Sequence, residues 1–176
     1  QDLDTMTRFF LPLLLSLFLS FSAQPAFSSS AFEEVLGRNA KLIQKSSSRT
    51  VDPVLAEIQE FGGAAAAEFM QNWKDKTLYF VKADGRFVTV EAAGKDDAGK
   101  KIVDVRDAVS KQPLGLMPAK NVKQIKPNSG VRAKIASALA PVQLTSDNID
   151  IRRAGLAAIS RDIQPSHLLP LQRAAA

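Results

Sequence analysis

A polypeptide with one histidine and no cysteine has few routes to chemistry. Without thiols it has no disulfide framework, no thiol nucleophile and no cysteine-based zinc site. The histidine, His167, lies in the segment Pro165-Ser166-His167-Leu168-Leu169. Ser166 is its sequence neighbour, but nucleophilic catalysis needs a hydroxyl, an imidazole and an orienting acid that meet in space. His167 therefore reads as a surface or helix-start residue. Asp96-Asp97 is an adjacent pair, whereas a calcium loop spreads its oxygens over alternate positions. Gly62-Gly63 and the pair Gly94 and Gly99 are not followed by the Gly-Lys-Ser/Thr of a phosphate loop. The sequence predicts no catalytic residue, no metal ligand and no cofactor, hence a protein that is not an enzyme.

Lys120, Lys123 and Lys126 form the one series that suggests a contact surface. Three cations at this spacing suit anionic headgroups. They equally suit a solvated strand edge, where lysine discourages pairing with another chain. The formal net charge is +5, and residues 1–26 contribute −1, so the remainder carries +6. An excess of this size is ordinary for a small soluble domain. No nucleic-acid partner is expected.

The elements that would position these residues fall into three regions, in a chain long enough for one ordinary domain. Residues 32–75 are predicted helical. Phe32, Val35, Leu36, Leu42 and Ile43 lie near helical spacing, and Ser46-Ser47-Ser48 reads as a loop. Asp52-Pro53 opens the next helix, Asp as cap and Pro at the first position. Val54, Leu55, Ile58 and Phe61 form its apolar stripe, Gly62-Gly63 ends it, and Ala64 to Trp73 make a third helix. Residues 76–127 are predicted as a small antiparallel sheet. Leu78 to Val81 and Phe87 to Val90 flank Ala83-Asp84-Gly85-Arg86, where Asp-Gly accepts the positive φ of a tight turn. Gly94 to Lys100 reads as a polar loop and Lys101 to Val105 as a third strand, with Ile102 facing opposite to Val103 and Val105. Pro113-Leu114-Gly115 reads as a turn, and Val122 with Ile125 as either a fourth strand or a short helical turn. Residues 128–176 are predicted helical again. Ser129 opens one helix that Pro141 limits. Ser146 or Asp147 opens the next, with Ile151, Ala154, Gly155, Ala158 and Ile159 on its apolar side. Pro165 and Ser166 open the last, which carries Leu168, Leu169 and Leu171. The fold class expected is α+β, with helical hairpins flanking a small antiparallel sheet.

The N-terminus reads as an address. Met6-Thr7-Arg8 precedes thirteen apolar-rich residues, Phe9 to Phe21, and then small residues. That is the pattern of a secretory signal peptide over residues 6–31, with cleavage near Ala26-Phe27-Ser28 or Ser29-Ser30-Ala31. The run is shorter than the roughly 20 residues of a membrane span. Residues 1–5 fit no part of a leader and read as non-native, with Met6 as the start.

Two resemblances follow from these segments. Ile151-Arg152-Arg153-Ala154-Gly155-Leu156-Ala157-Ala158-Ile159, after Asp147 and Asp150, is similar to the first helix of a HEAT-type repeat. Such units normally stack about three deep. More specific is an ordered series: Tyr79 to Arg86, then Asp107-Ala108-Val109, Pro113-Leu114-Gly115, Lys123 to Asn128, and Val131-Arg132. This series resembles the N-terminal extracytoplasmic extension of the urea-type ABC transporter permeases, within the branched-chain amino acid permease superfamily. The likeness covers residues 6 to 173 and is strongest from 77 to 160. It implies export to the periplasmic face of a bacterial inner membrane and a part in solute (urea) import. It implies as partners a membrane-spanning permease region missing from this chain, other transporter subunits and a periplasmic solute-binding protein. The transport pathway of that family lies in the missing region, so no transport residue carries over. The alternative expectation is a free-standing secreted interaction module, whose helical hairpins offer a groove to a peptide or protein.

Overall fold

The computed structural model describes residues 26–175. Most of the predicted leader lies outside these residues. Four helices come first: α1 (Ala26–Arg38), α2 (Ala40–Gln44), α3 (Asp52–Phe61) and α4 (Gly63–Lys74). Their buried residues recur at helical spacing: Phe32 and Leu36; Val54, Leu55 and Ile58; Ala66, Phe69, Met70 and Trp73. Gly62 and Gly63 take φ of +71° and +74°, so α3 and α4 meet with almost no linker. Asp52, expected as a cap, is instead the first helical residue, and Val51 holds the cap position. Val51 belongs to the core, which turns the Asp52 carboxylate outward to an ion pair with Lys134.

Five antiparallel strands follow: β1 (Leu78–Val81), β2 (Phe87–Lys95), β3 (Lys101–Asp107), β4 (Pro113–Pro118) and β5 (Val122–Gln124), in the order β4-β3-β2-β1-β5. The Asp84-Gly85 turn forms as predicted. Gly85 takes φ +78°, its N–H donates to the Val81 carbonyl at 2.8 Å, and Asp84 Oδ1 accepts from the Arg86 N–H at 3.0 Å. The predicted polar loop is shorter than expected, because β2 continues to Lys95. Pro113 to Gly115, predicted as a turn, belongs to β4. Proline is compatible with the start of an edge strand, where its missing N–H leaves no ladder bond unmade. Between Val105 and Arg106 the pairing slips by one residue, a bulge in β4 at Leu114 beside Gly115 (φ +84°) that helps keep this edge from recruiting another strand.

The connection from β4 to β5 dictates the sheet's shape. These strands are its opposite edges, yet only the 3-10 turn Ala119–Asn121 joins them. A flat five-stranded sheet would hold its edges about 19 Å apart. A three-residue 3-10 turn rises only about 2 Å per residue. The sheet must therefore roll into a partly closed barrel. Val88, Val105 and Val122 fill its inside, with Tyr79, Val81, Val90, Val103, Leu114 and Met117 around them. Ile102 is outside that cluster, opposite in sense to Val103 and Val105 as predicted. On the outside, Leu78, Phe80, Phe87 and Ile125 pack into the helical core.

The last region contains α5 (Ser129–Leu144), α6 (Ile149–Arg161), the 3-10 turn Pro165–His167 and α7 (Leu168–Ala174). Asn128 and Asn148 cap α5 and α6, in place of the predicted Ser129 and Ser146 or Asp147. Asn128 Oδ1 accepts from the Val131 N–H at 2.9 Å, and Asn148 Oδ1 from the Asp150 N–H at 2.8 Å. Pro141 does not end α5, which continues for three more residues. Ala140 and Leu144, buried against α6, hold that turn in place. Gly155 of α6 faces α5 so closely that a Cβ there would lie 3.0 Å from Gln143 Cβ and 3.3 Å from the Ala140 carbonyl oxygen. The α+β class holds. HEAT-type repeats are not shown: the segment read as a repeat's first helix is α6, which packs against the preceding α5.

Candidate functional site

Lys120, Lys123 and Lys126 are all exposed along one edge of the sheet. Lys123 is on β5, opposite Phe80 of β1. Lys120 is in the preceding 3-10 turn, and its carbonyl accepts from Lys82 Nζ at 2.5 Å. The chain thus runs antiparallel past itself, bringing Lys82 beside Lys120. At the other end, the Gln124 side chain donates to the Lys76 carbonyl at 2.7 Å, which places Lys76 near Lys126. Sequence spacing identified three of these lysines. The other two come from the partner strand and carry no local signal.

Of the two expectations for His167, the surface position does not hold, and the helix start does, since His167 is the cap residue of α7. It is 3% exposed and borders a cleft of about 360 Å³ between α3, α5 and the 3-10 turn Pro165–His167. Its hydroxyl partner is Ser137 of α5, 3.3 Å from Nε2, and not the adjacent Ser166. Nδ1 accepts the Gln164 backbone N–H at 3.2 Å. In the neutral ring this places the hydrogen on Nε2, which then donates to Ser137 Oγ. An imidazole so fixed has no lone pair directed at the serine hydroxyl and cannot take its proton. The Asp162 carboxylate is held by Gln164 Nε2 at 2.8 Å and does not orient the ring. The arrangement latches the 3-10 turn to α5. Replacing His167 with Ala leaves the Gln164 N–H without its acceptor and the Ser137 hydroxyl with only its 3.4 Å bond to the Asp162 carbonyl, and we expect a loss of about 2 kcal/mol, measured by urea denaturation. His167→Gln should recover part of it by restoring a donor or acceptor.

Asp96, one of the two adjacent carboxylates, is committed to its own turn. Its Oδ1 accepts from the Ala98 and Lys100 N–H groups at 3.0 and 2.8 Å. No group of three or more candidate metal ligands occurs among the described residues. Gly94 sits at a bulge in β2, and Gly99 in the turn after it.

One wide concavity is apolar. A groove of about 680 Å³ runs between α4 and the α5–α6 pair, lined by Ala67, Leu139, Val142, Ile151 and Ala154. Of the residues predicted on the apolar side of α6, the structure buries Gly155 and Ile159 and half-buries Ala158, but leaves Ala154 exposed and Ile151 43% exposed. The close approach at Gly155 rotates the helix so that its small residues meet α5. Seven of the nine large apolar side chains left exposed among the described residues lie between 142 and 169, so the exposure is concentrated on the C-terminal helices. Comparison of the chain with protein-family models, curated proteins and solved structures finds no match in any of the three.

Proposed function

We propose that this chain is a non-catalytic domain of a urea-type ABC transporter permease, exported to the periplasmic face of the inner membrane, where it supports solute import by binding a helix of the permease's membrane-spanning region. The observation that carries the reading is the concentration of exposed apolar side chains on α5 to α7, beside the apolar groove. Scattered exposed apolar residues need no explanation, whereas apolar side chains lining a groove mark a contact surface, and Val142 and Ile151 of this set line the groove itself. An amphipathic helix fits such a groove by laying its apolar face into it. Along α4 the groove runs from Ala67 to Lys74, about 10 Å, which accommodates about two turns of a docked helix. Glu68, Lys74 and Asp150 at the rim are tied to Lys111, Asp75 and Arg153, so the rim offers no unpaired charge to penalise an apolar occupant. The ordered motifs that resemble the permease extension map onto β1 and its turn, the β3–β4 turn, β5 and the start of α5, all in or next to the barrel.

The absence of cysteine makes the test specific. A single cysteine at Ile151, coupled to a photo-crosslinker in cells, should give an adduct that mass spectrometry identifies as a transporter subunit. A cysteine at exposed Thr50 should not. Ile151→Asp should abolish association while changing stability by no more than about 0.5 kcal/mol, since the side chain is partly exposed. Adducts only with an unrelated exported protein would support the free-standing module instead. No extracytoplasmic adduct at all would sink both readings. A phosphatase reporter fused after residue 176 should be active only while residues 6–31 are present.

A further inference from the structure

The excess charge of the protein is concentrated at one edge of the barrel. Lys76, Lys82, Lys120, Lys123 and Lys126 are all exposed, and none forms an ion pair among the described residues. The segments that carry them, 76–82 and 120–126, contain no carboxylate. The nearest acids in sequence are engaged elsewhere: Asp75 with Gln71 and Lys74, Asp84 with Arg86. Removing these five from the 23 lysines and arginines leaves 18, equal to the 18 aspartates and glutamates, so the rest of the chain is formally neutral. The two neighbouring segments, 76–82 and 120–126, run antiparallel through β1 and β5 and make the edge at most about 20 Å long. Lysine protects an edge strand from pairing, but β5 is only three residues long, and Lys76 and Lys82 flank β1, an inner strand to which that role does not apply.

We infer that this edge is a docking surface for an anionic phospholipid bilayer. All five groups are lysines. Bidentate recognition of single phosphates favours arginine, while ammonium groups act as point charges suited to a diffuse anionic surface. Single-stranded nucleic acid calls for exposed aromatic rings between the cations. The one ring of this edge with access to the strand surface, Tyr79, packs against the barrel interior. A bilayer asks for what is found here: several exposed cations, free of ion pairs among the described residues, along one edge. The inference stands whether or not the chain belongs to a transporter, because it concerns lipid alone.

The test is cosedimentation of the full chain with vesicles of phosphatidylcholine alone and of phosphatidylcholine with 30% phosphatidylglycerol. The apolar stretch 9–21 contributes alike to both, so the ratio of affinities isolates charge. Each lysine near the surface contributes about fivefold. With three in contact, the anionic vesicles should bind about 100-fold more tightly in dilute salt, and the preference should shrink steeply by about 0.5 M salt as screening shortens the field. Replacing all five lysines with Gln should bring the ratio close to one. Replacing Lys95, Lys100 and Lys101, at the far end of the β2–β3 hairpin, should leave most of it. Should the fivefold variant fold poorly, Lys123→Glu with Lys126→Glu gives the same readout. A ratio near one for the unaltered chain, or equal losses from both lysine sets, would overturn the inference. So would a 20-nucleotide single strand that binds through these five lysines and displaces the vesicles.

Discussion

Replacing Phe69 with Ala should remove about 4 kcal/mol of stability, the largest effect expected from any single truncation in this protein. Phe69 is fully buried, and its ring stands edge-on to three others: Phe32 at 5.9 Å, Trp73 at 6.5 Å and Phe87 at 5.4 Å between centroids. Those rings belong to α1, α4 and β2, so a single side chain joins the helical layer to the outside of the barrel. Edge-to-face pairs contribute about 0.5–1.5 kcal/mol each beyond the burial of their area. Phe32 is stacked at 4.7 Å on Phe61 and cannot swing freely into the space. Against a total stability of about 5–15 kcal/mol, the urea midpoint should fall by roughly 2 M at a slope near 2 kcal/mol per molar. Leu168→Ala, at an exposed position of α7, should change stability by no more than about 0.5 kcal/mol. A loss below about 1.5 kcal/mol at Phe69 would mean that the two layers are joined elsewhere.

The second large effect is expected at Gly155. The nearest atoms to a Cβ there include the Ala140 carbonyl oxygen and, at 3.5 Å, the Leu144 nitrogen. Both are main-chain atoms of α5 and cannot swing aside as a side-chain end does. Gly155→Leu should therefore separate α5 from α6 and destabilise by about 3 kcal/mol. Gly155→Ala should be much milder, since one methyl needs only small shifts and alanine favours the helix by about 1 kcal/mol. The damage should be local. Ile159 and Leu171 share this interface, so hydrogen exchange should accelerate in α6 and α7 while Phe69 and the barrel keep their protection. Uniform loss of protection would show that the C-terminal helices are integral to the main core.

Local chemistry made some of this fold readable and some of it opaque. Asp84-Gly85 announced its hairpin because that dipeptide tolerates the required backbone conformation, and strands of the predicted type flank it. The apolar spacing of α3 and α4 named most of their buried residues. Pro113 and Pro141 misled for one reason: proline interrupts an isolated element, but an edge strand needs no N–H at its start, and packing of Ala140 and Leu144 sustains a helix through the gap. The asparagine caps were passed over because serine and aspartate nearby have the same capacity, and only the direction of chain entry selects among them. Among the functional candidates, Lys120, Lys123 and Lys126 were visible as a series. Lys76 and Lys82 join them only through the pairing of β5 with β1. The partner of His167 was hidden for the same reason, since Ser137 lies 30 positions earlier in the chain and is brought near by tertiary packing alone.

The three-residue link between the sheet's two edges also sets a timetable for synthesis. The first strand can pair with the second almost at once across a five-residue turn, but its other flank stays vacant until Val122 to Ile125 arrive some forty residues later. Until then the nascent chain exposes an open strand beside a half-built aromatic cluster. The last stretch of sheet to emerge is the one that shuts it, so any factor that guards this polypeptide before it is complete has its work concentrated in that interval.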